Sequence, residues 1–524
     1  MILGAGIMQL PAVRLAKAKG WRVVVAAKDI CPEIEALADL TLPVDLRDKE
    51  AMVEAALSID KIDGVFTAGT DFSTTVAWVA ESLDLPGIPY DNALAATNKS
   101  IMRQKFARYG VASPSFISVT KAERIEEKLG SLHYPMVVKP VDNMGARGVR
   151  RVDHKDELER AIDSAVTQSR TGEVIIEQYL EGPELSLDAI VFRGRVTICG
   201  VADRHICFPP HFVEMGHTMP TAMAPNSIRA AEKVFKSGIR ALGIGNGAAK
   251  GDIIITSTGP VVGEIAARLS GGYMSGWTHP LSSGIEVTAA ALNVAMGLPP
   301  GALRPIYTAA SAERAFISIP GRVQSITGLD EALHHTFVEE LFVRTAAGAD
   351  VVFPTNNLEK CGNVISKAFS RSEAVSAAEE AVRKITIRLE ADRKETELFL
   401  FGDGHSPAFA AGPDTWKAVR EMPPFRGSLE ALRRGGEGLA VLPADIPGGL
   451  SPDWHGLDLG QALSRLSAVT GLELFQPGPA KIILGRAFWI ALLRGSVQGA
   501  LYFFDTLLKN RNRPEKAKEL FSKT

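Results

Sequence analysis

The chain is poor in cysteine, in net charge and in uninterrupted apolar runs, and each shortage removes a class of protein. Four cysteines in 524 residues, Cys31, Cys199, Cys207 and Cys361, include no CxxC pair. Neither a disulfide framework nor a zinc ribbon is indicated, and a reducing cytoplasm fits. The formal net charge of -2 offers no basic face to nucleic acid or to an anionic membrane, so a small molecule is the expected partner. Gly4 and Gly6 interrupt the order of charges and apolar residues that a signal peptide needs. One stretch, 487–508, is apolar enough to raise the membrane question, but Arg494, Gln498 and Asp505 fall inside it. It reads as one or two packed helices. An interfacial helix is the alternative, since Trp489, Tyr502, Phe503 and Phe504 suit a headgroup boundary, and self-association into a homodimer is another.

What is present is a balanced globular composition, 46% hydrophobic and 23% charged, long enough for several domains. The opening Ile2-Leu3 strand, the Gly4–Gly6 turn, a helical pattern to Lys19 and a strand from Trp21 to Ala27 start a doubly wound α/β unit. The first strand is short for such a unit, which suggests a start further upstream. A second unit follows, with a buried strand from Gly64, a loop at Thr70, Asp71 and Ser73, and a helix to about Leu83. Asn98-Lys99 opens a helix to about Tyr109; irregular strands and helices run on to about Pro305, an α+β texture. From Ala315 to Leu389 short strands with glycine turns precede a helix from Arg371 and a closing strand, and Gly402 to Pro479 has few periodic segments.

Three pieces carry chemistry. Lys139 ends a strand just before the glycine-rich run Asp142 to Val149, whose backbone N–H groups can cradle phosphate beside a fixed cation; an ordinary hairpin with a snorkelling lysine is the alternative. Glu177 and Glu184 flank a Gly-Pro turn and offer acceptors to a purine amino group and to ribose hydroxyls; otherwise they are a solvated acidic hairpin. Asp252 and Glu264, twelve positions apart around a Ser-Thr-Gly-Pro turn, should face each other across a hairpin. Such carboxylates repel unless a cation stands between them, and magnesium would serve, with Arg268 neutralising a phosphoryl group or a carboxylate; a surface salt bridge is the competing reading.

In this order the pieces resemble the ATP-grasp superfamily, in the branch of biotin carboxylase and the carbamoyl phosphate synthetase large subunit, over roughly residues 1 to 395. The resemblance implies an α/β and α+β multidomain protein: a Rossmann-like domain over 1–90, an ATP-grasp domain over 91–305 with a mobile subdomain at about 112–180, a small β-rich cap over 306–395, and an extension of unassigned purpose over 396–524. It implies ATP and Mg2+ as cofactors, with Mn2+ as an alternative ion. Lys99 and Lys139 would hold phosphates, and the loop carrying Asn143, Gly145 and Gly148 would close over them. Glu177 with the backbone of Gln178 and Leu180 would meet adenine, Glu184 ribose, Asp252 and Glu264 the metal, and Arg268 with Lys139 the reacting groups. The implied reaction is ADP-forming ligation of a carboxylate to an amine through an acyl phosphate. The alternatives are a carbamoyl or carboxy phosphate former using bicarbonate, and a nucleotide-binding scaffold that has lost its chemistry. Two departures stand out: the family writes Glu-x-Asn-x-Arg, with the asparagine on a second metal, where this chain has Ala266, and Asp252 replaces a glutamate.

The run Asp203 to His217 carries His205, Cys207, His211 and His217, but prolines and spacing fit no standard zinc site. In amino-acid-joining relatives a similar run lies near the acceptor pocket, so Glu214 and His217 are candidates for binding or deprotonating the amine, with Asp71 and Gly272 on the same substrate side. Gly4, Gly6 and Gln9 lack the third glycine of a dinucleotide fingerprint. Cys361, near Asn357, reads as a small core residue.

Overall fold

The computed structural model describes residues 1–120, 125–402, 407–423, 450–471 and 484–510. The chain divides into two compact units, one built from 1–313 with 355–357 and 365–375, the other from 314–354, 358–364 and 376 onward.

The first unit opens with three short parallel strands in the order β1 (Ile2–Leu3), β2 (Val24–Ala26) and β3 (Leu40–Leu42). Every residue of β2 is buried, as parallel strands covered on both faces require. Ala12, Val13 and Ala16 form the buried stripe of the helix Leu10–Ala18. The segment expected as a second buried strand from Gly64 is reduced to single bridges, Ile2 to Phe66 and Ala68 to Leu269, before the helix Ser73–Ser82. Asn98 caps the next helix, Lys99–Tyr109: its side chain accepts a 3.1 Å bond from the Ile101 N–H, and Gly110, at φ 66°, ends it in the left-handed conformation. The cap fixes Lys99 at the first helical position.

Two antiparallel sheets follow. In one, β4 (Phe116–Val119), β5 (Met136–Pro140), β6 (Arg150–Val152) and β7 (Val174–Gln178) lie in the order β4-β7-β5-β6, packed against the helix Lys155–Gln168 through Leu158, Ala161, Ile162 and Ala165. In the other, β8 (Glu184–Phe192), β9 (Arg195–Cys207), β10 (Val213–Met219), β11 (Gly247–Thr256) and β12 (Gly259–Ala266) run β12-β11-β8-β9-β10. The helix Pro225–Leu242 lies on this sheet. A Cβ at position 251 would stand 2.5 Å from the Phe235 ring, so Gly251 lets the helix approach the strand that carries Asp252. Past these, β13 (Ala310–Phe316) contributes Glu313.

In the second unit β14 (Gly321–Thr327) lies between β16 (Asp350–Val351) and β18 (Thr386–Leu389), with β15 (Val338–Val343) elsewhere in the unit; β17 (Gly362–Ala368) is divided between the two units. Val323 and Leu389 share one core with Phe399, Leu466, Phe488 and Phe503, so the described part of the extension packs on the β-rich segment. Cys361 is buried in that core, which pushes its thiol up to about 12. Much of the Gly402–Pro479 stretch lies outside the described residues. The helix Gly485–Lys509 is long and apolar enough to cross a membrane, yet 89% of its most apolar window is buried, and the helix breaks at Ser496, φ 51° and ψ -146°. Its aromatic residues Trp489, Tyr502, Phe503 and Phe504 are covered by the core, so the headgroup-facing alternative loses its surface. The interrupting polar residues are matched: Gln498 accepts from the Ile319 N–H at 2.9 Å, and Asp505 pairs with Arg388.

Candidate active site

The hairpin register places Asp252 on β11 directly opposite Glu264 on β12, the facing pair that the spacing predicts. Neither stands alone. Lys99 reaches from its helix to within 3.6 Å of Glu264 and donates a 2.8 Å hydrogen bond to the Asn143 carbonyl of the glycine-rich loop. Burial by itself would raise the Glu264 carboxyl, but Lys99, Lys250, Lys139 and Arg268 around it hold it down to about 2. Asp252 contacts the Lys250 ammonium and lies 3.4 Å from Arg204.

Lys139 sits near the end of β5, 2.6 Å from Glu177 on the neighbouring β7, and Glu177 in turn lies 2.8 Å from Arg103 of the Lys99–Tyr109 helix. Glu177 and Arg103 are buried, Arg103 completely, and Lys139 is 12% exposed. The Arg103 contact is a charge contact rather than an aligned hydrogen bond, because the Nε–H does not point along the line to the carboxylate. Burial alone would raise Glu177, yet Arg103 and Lys139 keep it ionised; burial, with two further cations nearby, pulls Lys139 below the usual lysine range. The carboxylate expected on adenine is thus engaged by two cations. Gln178 and Leu180 follow it into the β7–β8 turn, the Gln178 N–H bonded to the Ser115 carbonyl at 3.0 Å.

The glycine-rich loop is tied on several sides. Gly145, Ala146 and Gly148 all have positive φ, 68°, 62° and 70°, and a Cβ at 148 would stand 2.9 Å from Pro140. Asn143 donates to the Gln168 carbonyl at 2.8 Å, and the Asp142 carboxylate accepts from the Arg170 and Thr171 N–H groups at 3.0 and 2.8 Å. Asp71, expected on the substrate side, is held by Arg170 and lies 3.7 Å from Arg147, so its carboxylate also ties down the loop.

On the other side Arg204 gathers acids: Glu184 at 2.9 Å and Glu214 at 2.7 Å. Burial raises the Glu184 carboxyl above its ordinary range despite the arginine. His217 stands 2.9 Å from Glu313 and 3.5 Å from Glu214; burial opposes its charge, but the two carboxylates outweigh it and raise the imidazole to about 9. The two carboxylates thus favour the imidazolium form, which suits it better to holding Glu214 in place than to accepting a proton. Gly272, at φ 59°, lies against this pair, and a Cβ there would be 2.8 Å from Glu214 Oε1 and 3.0 Å from the His217 ring. His205 bonds instead to Thr218 at 3.0 Å, and among the described residues no group of three or more His, Cys, Asp or Glu side chains could hold a metal ion. Arg268 donates to the Leu269 carbonyl at 2.9 Å and lines a cavity of about 70 Å3 with Thr67, Ser73 and Asn246.

Sequence reasoning missed Arg103, Arg204, Lys250 and Glu313. Arg103 had a signal, lying four residues after Lys99 on a capped helix, where both side chains share a face. Arg204 had a signal too, since it lies directly opposite Glu184 in the β8–β9 hairpin, but Glu313 had none, because its partner His217 lies 96 residues away.

Residues 132–276 match the family described as the ATP-grasp domain, and residues 315–390 match the L-amino acid ligase C-terminal domain 2. The architecture is that of ATP-grasp proteins. An L-amino acid ligase from Bacillus licheniformis superposes with a TM-score of 0.66 at 24% identity, covering 74% of this chain and 98% of that one. A Sinorhizobium fredii protein, y4rH, is 27% identical over 353 residues, 65% of this chain and 72% of its own. Human carnosine synthase 1 is 27% identical over 264 residues, 46% of this chain; the match spans 31% of that relative's length. The chain therefore carries an ATP-grasp domain followed by an L-amino acid ligase C-terminal domain 2.

Proposed function

We propose that the chain is an ATP-dependent, ADP-forming ligase that joins a carboxylate to an amine, with amino acids or short peptides as the substrate class. The observation that carries the reading is the convergence of Lys99, Lys139, Asp252 and Glu264, drawn from a helix and two sheets, beside a glycine-rich loop that Lys99 itself tethers. Such a set suits a nucleoside triphosphate: ammonium groups and loop amides for the phosphates, opposed carboxylates for a divalent ion. Asp252 and Glu264 would hold magnesium, which supplies charge neutralisation to the transferring phosphoryl group. The substrate class rests on the relatives, named as an L-amino acid ligase and a carnosine synthase.

In this reading a carboxylate oxygen of the first substrate takes the γ-phosphoryl group of ATP and ADP leaves. The incoming ammonium group gives one proton to the Glu214 carboxylate, the freed amine nitrogen attacks the acyl carbon, phosphate departs, and the nitrogen gives its second proton to the released phosphate. Lys139 and Lys99 steady the phosphates and Arg268 offsets charge on the reacting carboxylate. Glu214, flanked by Arg204 and the cationic His217, binds the incoming ammonium group, and Gly272 leaves space for it. Glu177 keeps Lys139 aimed while the turn at Gln178 and Leu180 receives adenine and Glu184 the ribose. The test is ADP release with amino acids singly and in pairs, with bicarbonate, and with no substrate. Release that requires a carboxylate and an amine together supports ligation; release with bicarbonate alone, or tight ATP binding without turnover, defeats it.

A further inference from the structure

Resting on the ligase reading, we infer that Lys250 holds, as a fixed ammonium, the place that a second divalent cation would take, so that this site works with one metal ion per nucleotide. The register of the β11–β12 hairpin sets out four neighbouring positions: Asp252 opposite Glu264 and, two residues along the same face, Lys250 opposite Ala266. The Lys250 ammonium is largely buried and lies against the Asp252 carboxylate. Its cross-strand partner is a methyl group with no electron pair to offer a metal.

The charges close on this arrangement. Asp252 and Glu264 together carry two negative charges, and a bound triphosphate would bring the further negative charge that one divalent ion needs. Lys250 beside the first and Lys99, 3.6 Å from the second, already add two positive charges. A second divalent ion would enter next to these ammonium groups with its ligand missing at Ala266, and among the described residues no cluster of three acidic, histidine or cysteine side chains replaces it. Lysine has no preferred coordination geometry, so it serves as a point charge for phosphate oxygens where a metal would need six ligands.

The experiment counts ions rather than turnover. The full-length chain is saturated with a non-hydrolysable ATP analogue, and bound Mn2+ is titrated by electron paramagnetic resonance. One Mn2+ per bound analogue is expected. Lys250→Met should tighten Mn2+ binding on the order of tenfold, or admit a second ion, because a competing cation is gone. Lys250→Arg keeps the charge and should keep the count at one. Two ions in the unaltered chain overturn the inference whether or not a variant folds, and so does a Lys250→Met protein with unchanged Mn2+ affinity and count. Absence of analogue binding is a separate result: it overturns the ligase reading, and this inference with it.

Discussion

Replacing Glu177 by glutamine removes one negative charge from a place where water cannot substitute for it. Arg103 is fully buried, Glu177 is 4% exposed and Lys139 12%, so screening by solvent is slight. The carboxylate meets one cation at 2.8 Å and the other at 2.6 Å, and the amide that replaces it keeps the shape and one acceptor oxygen but not the negative charge. Breaking a buried charge set by removing one member costs about 3–5 kcal/mol, because the partners remain buried and uncompensated. The expected outcome for Glu177→Gln is a loss of that size in the urea unfolding of the first unit, with weakened ATP binding as Lys139 loses its anchor. A second substitution, Arg103→Met, separates causes: it removes one stranded cation, so the double variant should be more stable than the sum of the singles by about 0.5–3 kcal/mol. A Glu177→Gln protein within about 0.5 kcal/mol of the unaltered chain, or strict additivity in the pair, would refute the reading of Glu177 as the counter-charge that fixes Lys139.

Glu264→Gln and Lys139→Ala should each lower ADP release by roughly 100-fold or more while circular dichroism stays unchanged, since each removes one charged group facing the reacting phosphates. His217 titrates near 6.5 when unfolded and at about 9 in the fold, so its stabilising charge is fully present below pH 6.5 and is lost as pH rises through 9. The stability gap between the unaltered chain and His217→Asn, measured by urea midpoints, should therefore shrink from pH 6 to pH 9.5; a constant gap argues against the Glu214–His217–Glu313 charge set. Gly272→Ala forces a methyl group to 2.8 Å from Glu214 at a positive φ, and should raise KM for the amine roughly tenfold while leaving KM for ATP alone. An effect on ATP instead would place Gly272 on the nucleotide side.

The sequence by itself determined what depends on neighbours along the chain. Capping fixed the start of the helix at Lys99, the Ser-Thr-Gly-Pro turn fixed the facing of Asp252 and Glu264, and polar residues inside the apolar 487–508 stretch marked it as a packed helix. These are local rules of hydrogen bonding and strand period, readable over a dozen residues. Only the tertiary structure decided what each charge faces. Glu177 met Arg103 and Lys139 because a helix and two strands converge on a dry interior. Asp71 went to Arg147 and Arg170, and the His217 imidazole is raised by Glu214 from its own strand together with Glu313, which arrives from 96 residues away. A side chain's ionisation is set by the sum of burial and every nearby charge, and those charges come from segments whose meeting no local pattern encodes.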